Sequence, residues 1–251
     1  MYFKNTLIAA LLCALVSSVV LSSVQTLWVT ELIFEAEVFE NQPSEIDHHD
    51  LADDHHSVSS DHHAGQTTQS SHHDHGESNV VSSRFLNTVL VNFILSFGLS
   101  VVFINALILK KGIKPIQIAL FGVIGFCAIY FVPTLGLPAE IPGMQAVDIQ
   151  KRQIWWLSAV IATLIGGYIL MFSHWKFKIL GAVVLCVPFI IGAPHLEIEQ
   201  FASHSIENQA MLESILTQFE IRSFVINAVY WAVITASLIF LYPKFIKQLN
   251  D

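Results

Sequence analysis

The chain has 251 residues, 53% hydrophobic and 13% charged, with a mean hydropathy of +0.58 and a formal net charge of −8. That apolar share exceeds what an ordinary soluble domain carries, which excludes a water-soluble globular protein and puts the chain in a bilayer. Membrane lipid is therefore an expected partner, and nucleic acid is not.

Backbone groups in lipid must bond within helices or across a closed barrel, and the apolar runs here are continuous rather than alternating, so an all-α integral membrane protein is expected. Residues 1–40 form the first transmembrane helix and its acidic end. The apolar run Thr6–Val29 follows Lys4 and ends beside Trp28, an interfacial aromatic. A small residue at Val20-Leu21-Ser22 offers a signal-peptidase alternative, but the run continues past it, which favours a retained helix. Glu31, Glu35, Glu37 and Glu40 follow. Glu31 and Glu35 share a helical face at i, i+4, where like charges cost stability unless a cation or basic partner compensates.

Residues 41–83 are rich in His, Asp, Ser, Gln and Gly, with too little apolar surface to offset the entropy of ordering, so a disordered outer loop is expected. Nine of the twelve histidines fall here: His48, His49, His55, His56, His62, His63, His72, His73 and His75. Asp47, Asp50, Asp53, Asp54, Asp61 and Asp74 stand among them. Neutral imidazole beside carboxylate suits zinc, copper, nickel and cobalt, so the tract reads as a set of overlapping, exchangeable metal sites. Their affinity should fall as imidazole protonates near pH ~6.5. A polar spacer, or a loop that senses pH through the same titration, is the competing reading.

Residues 84–251 are expected to form a five-helix membrane bundle, giving about six transmembrane helices in all. The five runs are Phe85–Leu109, Ile116–Leu135, Ile154–Phe172, Phe177–Ile191 and Phe224–Leu241, the fourth of these being the shortest. Pro133 with Gly136, and Pro188 with Gly192, break two helix ends and suggest duplicated hairpins, spans two-three and four-five. Cys13, Cys127 and Cys186 lie inside apolar runs without metal-ligand spacing and read as small core residues. Gln25, Asn92, Asn105 and Asn227 should face the bundle. Trp155, Trp156 and Trp231 suit the interface.

Charge sets the orientation. With the N-terminus inside, Lys4, Lys110, Lys111, Lys114, Lys176, Lys178, Lys244 and Lys247 are cytoplasmic, while Arg84, Lys151, Arg152 and Arg222 are outside. Both termini are then cytoplasmic, and the outer segments are the His-rich loop, 133–153 and 192–221. Gln25, Glu31, Glu35, Glu37, Glu140, Asp148, His195 and Asn227 become candidates for a transport path. No charged residue or histidine occupies the middle of a span, no nucleophile–base pair or HExxH stands out, and there is no GxxxxGK[ST] loop, so an enzyme is not expected.

The chain resembles CbtA, a bacterial family of predicted cobalt transporter subunits. The resemblance rests on Gln25-Thr26-Leu27-Trp28-Val29-Thr30 through Glu35-Ala36-Glu37-Val38-Phe39-Glu40, a His-rich insert, and Pro133 with Gly136-Leu137-Pro138-Ala139-Glu140-Ile141-Pro142-Gly143. Arg152-Gln153-Ile154-Trp155-Trp156, Gly192-Ala193-Pro194 and Asn227 with Trp231 complete it. It implies a subunit of a cobalt uptake transporter in the bacterial inner (plasma) membrane, a small one-helix partner bearing its own histidines, and a link to cobalamin supply. No cofactor is expected; cobalt, or zinc or nickel in its place, is the bound and transported ion. The alternatives are a zinc or nickel transporter, and a non-transporting metal-binding receptor or accessory protein that regulates a partner.

Overall fold

The computed structural model describes residues 2–40, 77–109, 112–145, 147–195, 201 and 206–246; the His-rich tract lies outside the described residues. Among the described residues every regular element is helical: α1 Tyr2–Trp28, α2 Thr30–Glu40, α3 Glu77–Ile108, α4 Pro115–Phe126, α5 Val132–Thr134, α6 Ile149–Phe172, α7 Trp175–Ile191 and α8 Ile206–Leu241. Two π-helical turns, Cys127–Phe131 and Tyr242–Ile246, extend α4 and α8. Local chemistry marks the helix boundaries. Pro115 opens α4 where its missing N–H is not needed, and Asp148 caps α6 by accepting from the backbone of Gln150 and Lys151. Gly192 closes α7 at φ +89, a conformation side chains resist.

Small residues bring α1, α3 and α8 together. Ala9, Ala10, Cys13, Ala14, Ser17, Ser18 and Ser22 of α1 are buried, which lets the neighbouring backbones approach as closely as membrane helices require. Ile104, Leu107, Ile234 and Leu238 fill the space around them. Exposed leucines, isoleucines and valines meanwhile cover the outside, as on α6 and α7, where a lipid solvent would receive them. A second core joins Leu32, Ala36 and Phe39 of α2 to Ile141, Phe201, Leu212 and Ile215, making a cap at one end of the bundle. Helix α8 reaches both cores because its 36 residues extend about 54 Å at ~1.5 Å per residue, well beyond a hydrocarbon core of ~30 Å.

Among the described residues, five helices are long and apolar enough to cross a membrane: Phe3–Trp28, Ser83–Ile108, Pro115–Thr134, Ile149–Leu170 and Asn208–Phe245. The remaining run is α7, whose 17 residues stop short because the break at Ser173 delays its start and Gly192 ends it. It nevertheless packs back along α6. A Cβ on Gly166 would lie 2.7 Å from the Gly181 carbonyl oxygen, and near the other end Trp155 Nε1 donates to the Pro188 carbonyl at 3.2 Å.

Several expectations change with this packing. Residues 77–83, read as loop, belong to α3, and the connection 192–221 is helical from Ile206. Among the described residues α6 and α7 pair as a full hairpin, the expected spans four-five, while α3 packs mainly on α1 and α4 mainly on α8, so the matching hairpin of spans two-three is not seen there. Cys13 is buried, but Cys186 is exposed on α7. Asn105 is exposed and turns its amide to the Val101 carbonyl of its own helix. Trp155 and Trp231 are buried packing residues, whereas Trp156 is exposed.

Candidate functional site

On α3, Arg84, Thr88, Asn92, Ser96 and Ser100 recur every four residues and therefore lie along one row of the helix. Side chains of α1 and α8 meet this row. Asn92 Nδ2 donates to Ser22 Oγ at 2.9 Å and to Gln25 Oε1 at 2.7 Å, while the Ser96 hydroxyl and Tyr230 hydroxyl are 2.9 Å apart. At the deepest level the Cys13 thiol donates to the Ile234 carbonyl at 3.8 Å and neighbours the Ser17 and Ser100 side chains. The result is a polar seam through an otherwise apolar bundle, walled by α1, α3 and α8.

The seam opens at the junction of α1 and α2, where a cavity of about 290 Å³ is lined by Gln25, Thr26, Thr30, Phe34, Arg84 and Thr88, among others. Arg84 brackets this mouth: Nη1 lies 3.3 Å from Glu37 Oε1, and the guanidinium carbon sits 5.2 Å above the Phe34 ring. Behind it, Arg222 Nη1 of α8 donates to the Trp28 carbonyl at 2.7 Å, satisfying a carbonyl that the end of α1 leaves open and placing positive charge at that helix's negative pole. A second cleft, of about 370 Å³ between α4 and α8, is lined by Gly122, Phe126, Ala228, Ala232 and Thr235 and is almost wholly apolar.

Of the candidate path residues, Gln25 lines the mouth and Glu37 is tied to it through Arg84. Glu31 is exposed and Glu35 half-buried on α2, and neither forms an ion pair among the described residues. Glu140 pairs with Arg152 where the 135–148 segment meets α6, and both are about one-quarter exposed. The carboxylate of Asp148 accepts from Gln150 N and Lys151 N at 3.0 Å as the cap of α6. Asn227 donates to the Ser223 carbonyl at 2.9 Å and neighbours the Tyr130 side chain, away from the mouth. His195 is exposed beyond the end of α7. His48, His49, His55, His56, His62, His63, His72, His73 and His75 lie outside the described residues.

Among the described residues no three His, Cys, Asp or Glu side chains gather as a metal cage. The seam instead relies on hydroxyls, amides and one thiol, residue types that a search for imidazole and carboxylate passes over. Its signal in the sequence is the four-residue spacing on α3, which becomes meaningful once Ser17, Ser22 and Gln25 of α1 are seen opposite.

Long apolar helices with lipid-suited side chains outside and a polar seam inside define a multi-pass helical membrane protein. The family model CbtA, described as a probable cobalt transporter subunit, matches residues 3–242, and the chain belongs to that family. The description implies a cobalt cation as substrate and a partner subunit. No curated protein and no solved structure matches the chain.

Proposed function

We propose that this protein carries a cobalt cation inward across the bacterial inner membrane, with the α1–α3–α8 seam as part of its route. In this reading α7 crosses beside α6 as a short sixth span, at the lower limit of about 17 residues, so both termini are cytoplasmic and the mouth at Arg84 and Glu37 shares the extracytoplasmic side with the His-rich tract. The tract captures the cation, and acidic residues around α2 hold it near the mouth. A small His-bearing one-helix subunit completes the transporter. Zinc and nickel bind the same donor types, so selection rests on geometry and supply rather than on affinity.

The observation that supports a route here is the row of polar side chains along the α1–α3–α8 interface, from Thr30 and Arg84 at the mouth to Gln25, Asn92 and Ser22 and, further in, Ser17 and Cys13. Polar side chains inside membrane helices are costly and cluster where helices bond across the bundle or line a pathway.

Radiolabelled cobalt uptake into sealed vesicles, in the presence or absence of the one-helix partner and in competition with nickel and zinc, tests the proposal. Deleting residues 41–76 should preserve uptake at saturating cobalt and raise the concentration needed for half-maximal rate. Unchanged uptake at submicromolar cobalt would remove the capture role from the tract. Metal binding without flux under every condition would leave a receptor or accessory protein instead.

A further inference from the structure

Ser17 and Ser100 are 0% exposed, and among the described residues neither hydroxyl oxygen makes a hydrogen bond of good geometry, the Cys13 thiol being the polar group beside each. Elsewhere in these helices the hydroxyls turn back to the carbonyl four residues earlier, as Ser23 does to Val19, Thr26 to Ser22, Thr163 to Ala159 and Thr235 to Trp231. Ser17 and Ser100 have their own helix carbonyls at the same spacing but do not use them. Both lie beside the Cys13 thiol, itself fully buried, whose hydrogen bond runs to the Ile234 carbonyl. Buried polar atoms without partners are rare and call for a physical reason. Here two of them, from two helices, converge on one sulfur at the inner end of the polar seam.

We propose that Cys13, Ser17 and Ser100, with the Ile234 carbonyl, form a transient coordination station for a divalent transition-metal cation inside the bundle. The proposal rests on the transport reading and gives it an internal stopping point. Sulfur suits cobalt, nickel and zinc, whereas magnesium and calcium take oxygen ligands, so the station passes the first group and rejects the second. Binding exchanges the thiol proton for the metal and releases that proton to water along the seam, leaving a thiolate to offset half of the cation's charge. The other donors are neutral, which keeps the ion weakly held, as a conducting site requires. Cys127 lies in the π-turn and Cys186 is exposed on α7, so neither thiol competes for this place.

The test uses full-length protein carrying Cys127→Ala and Cys186→Ala, reconstituted in lipid nanodiscs and titrated with cobalt chloride while sulfur-to-cobalt charge-transfer absorption is recorded. The band should appear, strengthen as pH rises, and vanish when Cys13→Ser is added. Ser17→Ala and Ser100→Ala should each raise the half-saturating cobalt concentration about three-fold or more, while melting temperature holds or rises because an unpaired buried hydroxyl is removed. A band that survives Cys13→Ser, or no band at cobalt concentrations that saturate uptake, would overturn the station. The same proteins in liposomes separate the two readings. Normal flux without the band removes the station and keeps transport, whereas a Cys13-dependent band without flux keeps the metal site and removes transport.

Discussion

Asn92 and Gln25 clasp α1 to α3, Nδ2 to Oε1 at 2.7 Å, with the Ser22 hydroxyl accepting a second bond from the same amide. Replacing Asn92 with Leu should cost about 1–2 kcal/mol, the range for an interhelical hydrogen bond in lipid. If the amide also lines the route, cobalt uptake per folded molecule should fall about five-fold or more, equivalent to ~1 kcal/mol on the barrier. Vesicle flux normalised to the folded fraction measures this. A loss that merely follows protein yield would confine Asn92 to adhesion.

Arg84 and Glu37 make a partly exposed pair, so its loss should change stability by less than about 1 kcal/mol. Its effect on a cation approaching the mouth should be larger. Arg84→Gln is expected to lower the cobalt concentration for half-maximal uptake about two- to three-fold at low ionic strength, and Glu37→Gln to raise it. Both shifts should shrink as salt screens the charges. Uptake titrations at two ionic strengths provide the check.

The Glu140–Arg152 pair is more sheltered and joins the 135–148 segment to α6. Glu140→Gln should destabilise the fold by on the order of 1–3 kcal/mol, because the guanidinium loses its charged acceptor in a partly desolvated place. Thermal melting in detergent reads the loss, and the double variant Glu140→Gln with Arg152→Gln should recover part of it. A double variant less stable than the single one would contradict this account.

Gly166 and Gly181 set the spacing of the α6–α7 hairpin. A methyl at position 166 would meet backbone, which cannot turn aside as a side-chain end can, so Gly166→Ala should cost about 1–3 kcal/mol through separation of the two helices. Gly167 has open space in front of its Cβ position, and Gly167→Ala should be neutral or slightly stabilising. Comparing the two melts isolates packing from helix propensity.

The helices were legible because hydrocarbon leaves a continuous apolar run few choices; α3, α4 and α6 begin or end within a few residues of their expected limits. The brevity of α7 was legible too, since Phe177–Ile191 is the shortest apolar run and carries Lys178 near its start, but the breaks at Ser173 and Gly192 that fix its ends show only in the fold. Charge and ligand type drew attention to the acidic ends and the histidine tract, both conspicuous in composition. The seam was harder to see because Asn92 meets Gln25 and Ser22 across 67 and 70 residues, and no local pattern announces which helix faces which. Arg222 illustrates the same limit: beside its bond to Gln218 one turn away, it donates to a backbone carbonyl 194 residues away, invisible to any reading of side chains.

Arg222 holds Trp28, and the Cys13 thiol holds the Ile234 carbonyl, so α1 and α8 are pinned to one another at two depths. The α6–α7 hairpin meets the remainder of the bundle chiefly through the π-turn 127–131 and α5. Any swing of the hairpin against the pinned helices therefore has its fulcrum there. The rings of Phe126, Tyr130 and Phe131 gathered around Phe224 form the bearing on which such a swing would turn.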